Sequence, residues 1–290
     1  MDIRKLALGT AQFGLEYGVA NESGRTNQEE VKAILQLARS NGVFSIDTAI
    51  AYGDSEEQLG TGGTTGFNVV SKLPAIPENC VDIKSWVRAQ VLGSLSRLNT
   101  DCLHGVLLHR PEQLRSLGGS VLYESLEELK KEGLVKKIGI SVYSPNELEL
   151  LIPSFKFDLV QAPLNLIDQR MHISGWLGRL KCDGIEVHTR SAFLQGLLLM
   201  PPNTVPEYFS HWKNIFTKWH GWLAENNASA IEACLSYLFS IKDIDHVIVG
   251  TENFQQFAQV ADVIRNGKSS RFPDIQCNDE KLINPALWNY

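Results

Sequence analysis

The chain has 290 residues, of which 43% are hydrophobic, and this length and composition suit one domain with a large buried core. Its formal net charge is −6 and it has no Lys/Arg-rich block, so nucleic acids and anionic membranes are not expected as partners. Five cysteines without a Cys-x-x-Cys pair argue against a disulfide framework and a zinc site, and free thiols suit the cytoplasm. No segment approaches the roughly 18 consecutive apolar residues of a membrane span, and residues 1–9 do not resemble a secretion signal.

Short β-rich runs alternate with segments of helical periodicity along the chain. Eight runs are predicted to be strands, at residues 6–9, 43–47, 67–72, 103–109, 136–141, 157–162, 185–191 and 245–250. The first long helix is the most clearly marked, because Thr26 or Asn27 can cap it, acids follow in its first turn, and Gly42 ends it. Apolar stripes of helical spacing also run through Val87, Val91 and Leu95, through Leu122, Leu126 and Leu129, and through Ile231, Leu235 and Leu238.

The strand runs favour a parallel sheet. Residues 106–108 and 247–249 are apolar at consecutive positions, as is typical of strands that are covered on both faces. Eight strand–helix alternations can close as a (β/α)₈ TIM barrel or lie open as a doubly wound sheet. A doubly wound dinucleotide-binding sheet should carry Gly-x-Gly-x-x-Gly after its first strand, and residues 9–14 do not match this pattern. The sequence therefore predicts a single barrel domain over residues 1–290.

One segment, at about residues 201–224, is longer than a usual strand–helix connection and is predicted to be an insertion over the barrel mouth after strand seven. His211 and His220 lie nine positions apart, which does not fit helical metal ligands, and no metal site is predicted. Packing of this segment on the barrel is favoured over a lid that lines the substrate pocket. Its aromatic residues recur at intervals of three and four, as on one face of a helix: Trp212, Phe216, Trp219 and Trp222.

Polar residues at the carboxyl ends of barrel strands gather at one face, where the loops build the active site. Four side chains are predicted to meet there as catalytic residues: Asp47, Tyr52, Lys72 and His109. Reduction of a carbonyl requires a proton donor beside the oxygen, and Tyr52 can serve if a nearby cation lowers the phenol pKa from about 10. Lys72 would supply that cation, Asp47 would pair with the buried ammonium, and His109 would orient the substrate oxygen.

Each of these residues also has an ordinary explanation when it is taken alone. Asp47 could form a turn or a helix cap, and Tyr52 could be a wall residue. Lys72 could be a solvated strand end, and His109 could close a strand. Their joint placement at neighbouring strand ends favours the catalytic interpretation.

The chain resembles the aldo-keto reductase family from Leu6 to about Val260. The matching pieces are Gly9 to Gly14, Asp47 to Glu56, Lys72, Leu107 to His109, Ile138 to Ser141, Gln161, Ser191 to Leu198 and Val249 to Thr251. The resemblance implies a (β/α)₈ barrel, a nicotinamide cofactor laid across its mouth, and Tyr52 as the general acid. Lys72, Asp47 and His109 would support Tyr52.

The resemblance also implies which residues contact the cofactor. Ser141 and Gln161 would bind the carboxamide, and the loop that begins at Ser191 would cover the pyrophosphate. The full set of implied contacts is Gly9, Thr10, Ser141, Gln161, Arg190, Ser191, Ala192, Phe193, Leu194, Gly196, Gly250, Thr251, Glu252 and Gln256.

Three positions depart from the family pattern. Val142 stands where an asparagine often follows the serine of strand five, and Arg190 stands where many members stack a tyrosine on the nicotinamide. Arg190 would then either stack on the cofactor or pair with a local acid. Glu252 stands where members that select a 2′-phosphate carry a basic residue, although Lys268 or Arg271 could compensate. Family habit thus slightly favours NADP(H), the local residues favour NAD(H), and the choice stays open.

The leading hypothesis is an NAD(P)(H)-dependent oxidoreductase that interconverts an alcohol with a small aldehyde, ketone or sugar-derived carbonyl. The alternative is a barrel that binds the cofactor as a redox sensor or regulatory partner without significant turnover. A metal-dependent barrel hydrolase is disfavoured, because it would need several more His and Asp residues at strand ends. The oligomeric state is left open.

Overall fold

In a computed structural model, residues 1–267 and 271–288 of the protein are described. The strands differ from the predicted runs by at most two residues at either end. They are β1 (Leu6–Gly9), β2 (Ser45–Asp47), β3 (Asn68–Leu73), β4 (Leu103–Leu108), β5 (Val135–Ser141), β6 (Leu159–Pro163), β7 (Glu186–Arg190) and β8 (His246–Gly250).

The eight strands form one closed barrel in chain order, and every neighbouring pair is parallel. The barrel closes where β1 pairs with β8, from Leu6 opposite Val247 to Gly9 opposite Gly250. The predicted (β/α)₈ TIM barrel is therefore confirmed. In this architecture the carboxyl ends of all strands open onto one face, which we call the mouth.

Helices surround the barrel. They are α1 (Ala11–Gly14), α2 (Gln28–Asn41), α3 (Ser55–Gly62), α4 (Ile83–Leu98), α5 (Gly119–Lys131), α6 (Pro145–Leu151), α7 (Arg170–Ile173), α8 (Trp176–Cys182), α9 (Lys213–Asn226), α10 (Ala230–Ser240), α11 (Phe254–Asn266) and α12 (Glu280–Ile283). Short 3₁₀ segments lie at Ile3–Lys5, Pro111–Arg115, Leu197–Leu199, Glu207–Trp212 and Pro285–Leu287. Among the described residues, a helix with the length and hydropathy of a membrane span is absent.

Helix α2 shows how local sequence sets these boundaries. The Asn27 side chain accepts hydrogen bonds from the backbone N–H groups of Glu29 and Glu30, and such a cap contributes about 1 kcal/mol. The helix ends at Gly42, which has a φ of +78° that a side chain would oppose. Its apolar stripe is fully buried against the barrel: Val31, Ile34, Leu35 and Ala38.

The core has two parts. The larger part lies between the strands and the helices, and the smaller part is a separate cluster of Val70, Leu107 and Leu159 inside the barrel. Each of these three residues precedes a polar residue by two positions, and alternate residues of a strand share a face. Lys72, His109 and Gln161 therefore follow the apolar cluster towards the mouth.

The aromatic segment after β7 forms a 3₁₀ turn and then α9. Phe216 and Trp219 are buried, and the Trp219 indole N–H donates to the Leu198 carbonyl at 2.9 Å. Trp222 stacks on Trp219 with the rings 4° from parallel. These contacts agree with the favoured interpretation of a helix packed on the body of the protein.

Candidate active site

The four predicted catalytic residues meet at the mouth. Asp47 is the last residue of β2, Lys72 is the penultimate residue of β3, and His109 directly follows β4. Tyr52 lies on the turn between β2 and α3. Three neighbouring strands and one turn thus bring the four side chains together.

The Lys72 ammonium is the centre of this arrangement. Its Nζ donates to Asp47 Oδ2 at 2.6 Å, to the Thr48 carbonyl at 2.9 Å and to the Tyr52 hydroxyl at 3.4 Å. Lys72 is fully buried, and burial lowers the pKa of its ammonium while the charge of Asp47 acts in the opposite direction. A buried ammonium needs such a partner, so Asp47 keeps the cation beside Tyr52.

Gln161 has a structural role that the sequence did not predict. Its amide Nε2 donates to Asp47 Oδ1 at 2.6 Å, and its Oε1 accepts a longer bond from Ser141 Oγ at 3.4 Å. Both residues are buried. Asp47 is therefore held by Gln161 on one oxygen and by Lys72 on the other, which fixes the orientation of the ion pair.

The turn that carries Tyr52 packs closely against the turn after β1. A Cβ atom at Gly14 would lie 1.8 Å from the Tyr52 carbonyl oxygen, so this approach requires glycine. The Ser55 hydroxyl donates to the Thr10 carbonyl at 2.9 Å, and the Thr10 hydroxyl donates to the Asp47 carbonyl at 3.0 Å. These contacts hold Tyr52 relative to the ends of β1 and β2.

The expected lowering of the Tyr52 pKa is wrong for this structure. Burial raises the pKa of the Tyr52 phenol well above its ordinary value, the Asp47 charge raises it further, and Arg190 lowers it. Lys72 is paired with Asp47, so its ammonium does not act on the phenol as an isolated cation. Tyr52 therefore holds its proton firmly in the resting site.

His109 is a neutral imidazole at neutral pH. Burial lowers the pKa of His109 to about 4, and the charges of Lys72 and Arg190 lower it as well. The imidazole lies edge-on to the Tyr52 ring, with the ring centres 6.0 Å apart. A neutral ring at this position can hydrogen-bond an oxygen beside Tyr52 without adding charge.

A cavity of about 340 Å³ opens at the mouth beside these groups. Asp47 and Tyr52 are part of its wall, and from there it extends to Glu252 and Gln259 beyond the end of β8. Eleven of the fourteen predicted cofactor residues line it: Gly9, Thr10, Arg190, Ser191, Ala192, Phe193, Gly196, Gly250, Thr251, Glu252 and Gln256. The remaining three, Ser141, Gln161 and Leu194, are buried outside this lining.

Sequence reasoning missed several residues of the cavity wall. Gln12, Tyr17 and Asn21 come from the segment after β1, and Gln195 comes from the loop after β7. The Gln195 amide donates to the Tyr17 hydroxyl at 3.2 Å, so the two segments meet. The available signal was their position after strand ends, where barrel loops build a site.

Arg190 stacks on a protein ring rather than pairing with an acid. Its guanidinium carbon lies 4.4 Å from the centre of the Tyr143 ring, and Nη2 donates to the Val142 carbonyl at 3.2 Å. Val142 itself is fully buried, so it offers only its backbone here. Arg190 is the only Lys or Arg in the described lining of the cavity.

The cavity lining fits an elongated polar ligand such as a nicotinamide dinucleotide. Two lining residues, Gln12 and Thr251, have buried side-chain oxygens without a hydrogen-bond partner in the described structure. In the loop after β7, Ser191, Leu194 and Gln195 have φ values of +63°, +48° and +54°. Such strain is typical of ligand-binding loops, and the orphaned oxygens are available to a ligand.

The closed barrel thus carries the Asp47–Lys72–Tyr52–His109 group at the ends of its strands, and the family match gives the class of the protein, an oxidoreductase. The sequence profile of the Aldo/keto reductase family matches residues 5–275. The chain belongs to this family, whose members interconvert carbonyls and alcohols and generally use NAD(P)(H).

Known proteins extend this comparison. The oxidoreductase YqkF of Bacillus subtilis is 26% identical over 278 residues, covering 89% of this chain and 90% of YqkF. Methylglyoxal reductase DkgA of Escherichia coli is 29% identical over 181 residues, or 59% of this chain and 62% of DkgA. The holo structure of aldo-keto reductase AKR11C1 from Bacillus halodurans superposes with a TM-score of 0.72 at 20% identity, covering 92% of this chain and 88% of that one, which shows the shared fold.

Proposed function

We propose that the protein uses NAD(P)H to reduce a small aldehyde, ketone or sugar-derived carbonyl and catalyses the reverse oxidation, with Tyr52 as the general acid and base. The observation that carries this proposal is the contact between Lys72 Nζ and the Tyr52 hydroxyl beside the cavity. One relative is named a methylglyoxal reductase, and small reactive aldehydes of that kind belong to the proposed substrate class.

The proton chemistry follows from the positions of the side chains. The hydride for reduction is supplied by the reduced nicotinamide ring when the cofactor is bound. As the carbonyl oxygen gains negative charge, Tyr52 gives it the phenol proton, and the Lys72 ammonium at 3.4 Å stabilises the phenolate that remains. Neutral His109 holds the substrate oxygen near Tyr52, and Asp47 keeps Lys72 charged in its buried position.

The residues of the described cavity wall favour NAD(H), whereas family habit favours NADP(H). Glu252 lines the end of the cavity distant from Tyr52, and its backbone N–H is fixed by Gln256 Oε1 at 2.9 Å. A carboxylate there repels a 2′-phosphate and can accept a hydrogen bond from a ribose hydroxyl. Arg271 does not line the cavity, and Lys268 lies outside the described residues.

Two tyrosines, Tyr17 and Tyr52, are in the described lining of the cavity, so a matched pair of variants tests the proton donor. Tyr52→Phe should lower kcat for reduction of an aldehyde such as methylglyoxal by about 10²- to 10⁴-fold while cofactor affinity stays nearly unchanged. Tyr17→Phe removes the other phenol and should retain turnover within about tenfold, because Lys72 contacts Tyr52. Cofactor affinity is measured by quenching of tryptophan fluorescence.

The outcomes separate the two hypotheses for function. Full turnover of Tyr52→Phe would refute the assignment of the proton donor. Cofactor binding by the unmodified protein without turnover of any aldehyde, ketone or sugar in a broad panel would instead support the redox sensor.

A further inference from the structure

A second group of polar side chains lies at the amino ends of the strands, opposite the mouth. Glu186 and His246 begin β7 and β8, and His188 is the third residue of β7. His104 of β4 and Lys137 of β5 lie beside Glu186. We call these five residues the floor cluster. The proposed reduction at the mouth does not use them.

Glu186 is the centre of the floor cluster. Its Oε1 accepts hydrogen bonds from His188 Nε2 at 2.6 Å and from His104 Nε2 at 3.4 Å. Its Oε2 pairs with the Lys137 ammonium. The Glu186 side chain is 14% exposed, while that of Lys137 is 32% exposed and has a path to solvent.

The two histidines of β7 and β8 each have one unused nitrogen. His188 and His246 are in register on adjacent strands, and their ring centres are 4.8 Å apart. Nε2 of His188 is hydrogen-bonded to Glu186, and Nε2 of His246 lies 3.2 Å from Ser45 Oγ, within hydrogen-bond distance. Nδ1 of both rings is buried without a hydrogen-bond partner among the described residues, which is unfavourable for a polar atom.

These groups match the ligands of a metal ion. Glu186, His188 and His246 each offer one donor atom, and the three atoms lie within 4.8 Å of one another. Two imidazole nitrogens and one carboxylate oxygen are a common ligand set for Zn²⁺. Ligand atoms of a tetrahedral zinc site are about 3.3 Å apart, so rotation of the side chains can close the group on an ion.

We propose that the barrel floor binds one divalent transition-metal ion of the zinc type through Glu186, His188 and His246. In the absence of metal, the Lys137 ammonium pairs with the Glu186 carboxylate. When the ion binds Glu186, the Lys137 side chain moves to solvent. The apolar cluster of Val70, Leu107 and Leu159 lies inside the barrel between the floor cluster and the catalytic residues. In β4, for example, Leu107 comes after His104 and before His109. The floor metal is therefore structural and takes no part in the hydride transfer.

Titration of the metal-free protein with Co²⁺ and Zn²⁺ tests the site. Co²⁺ should bind with one equivalent and produce visible d–d absorption, and Zn²⁺ should displace it. His246→Gln removes one of three ligands and should lower Zn²⁺ affinity by about 100-fold or more. His172→Ala is the matched control, because His172 is an exposed histidine of α7 outside the floor cluster.

Lys137→Met gives a second measurement that does not depend on removing a ligand. It removes the cation that competes for Glu186, so Zn²⁺ affinity should rise by about tenfold or more, whereas a purely structural ion-pair network predicts only lost stability. The proposal is overturned if the unmodified protein binds no stoichiometric metal. It is equally overturned if folded His246→Gln binds as tightly as His172→Ala, or if Lys137→Met leaves the affinity unchanged.

Discussion

The buried Lys72–Asp47 pair makes a quantitative prediction about stability. Lys72→Met removes the donor to Asp47 Oδ2 and leaves a carboxylate that is 7% exposed with one remaining donor, Gln161 Nε2. Breaking a buried ion pair by removing one partner costs about 3–5 kcal/mol. With an unfolding entropy near 2.1 cal/mol/K per residue, this corresponds to a fall in Tm of about 5–8 °C for a chain of this length.

The assay is urea unfolding followed by circular dichroism, together with calorimetry for Tm. Lys84→Met is the matched control, because Lys84 pairs with Glu128 on the surface, where the two side chains are 62% and 45% exposed. Loss of an exposed pair should change the free energy of unfolding by no more than about 1 kcal/mol. A Lys72→Met protein as stable as the control would refute the reasoning.

The double variant separates the ion pair from simple packing. Asp47→Asn combined with Lys72→Met leaves neither charge buried, so it should be less destabilised than the sum of the single variants by about 2 kcal/mol. Additive losses would show that Lys72 and Asp47 contribute independently. All three variants should lose turnover, because Lys72→Met and the double variant remove the ammonium beside Tyr52 and Asp47→Asn removes the carboxylate that holds it there.

Three further predictions concern pH, backbone packing and the cofactor. His109 takes up a proton near pH 6.5 in the unfolded chain but only near pH 4 in the folded protein. The free energy of unfolding should therefore fall by about 3 kcal/mol as the pH drops through this range. Urea unfolding of His109→Gln should show a weaker pH dependence. Gly14→Ala should lower both stability and turnover, because its Cβ would clash with the Tyr52 carbonyl oxygen. Gly221→Ala on α9 should lower neither, because no atom lies within 4 Å of a Cβ there. Equal behaviour of the two variants would refute the close packing of Gly14 against the Tyr52 turn. Glu252→Lys should shift the ratio of NADPH to NADH affinity towards NADPH. Asp262→Lys, at an exposed position of α11, is the control for the change in net charge. An unchanged ratio would show that the adenosine end of the cofactor binds elsewhere.

The fold was predictable because its main signal is local. Strands buried on both faces read as consecutive apolar residues, and helix ends carry caps such as Asn27 and Gly42. The misplaced boundary at β2 has a physical reason. Val43 and Phe44 fit a strand by residue type, but Phe44 is 47% exposed and β2 begins only at Ser45.

The meeting of Asp47, Tyr52, Lys72 and His109 was predictable from strand ends, but the contacts that support it were not. Gln161 and Asp47 are 114 positions apart, and residue type alone does not indicate that an amide will bond a particular carboxylate. The Tyr52 pKa was mispredicted for a similar reason, since burial is a property of the folded site. The floor cluster did leave a signal, because ionisable residues stand at alternating positions of β7, at Glu186, His188 and Arg190, which indicates that one face of the strand turns into the barrel.

The small apolar cluster inside the barrel has a consequence for engineering. Val70, Leu107 and Leu159 form an apolar partition inside a barrel that carries charged side chains at both ends. An electrostatic change at one end reaches the other only through this partition and the rigid strands around it. The floor is therefore an independent attachment point, where a probe or an affinity handle can be built without retuning the chemistry at the mouth.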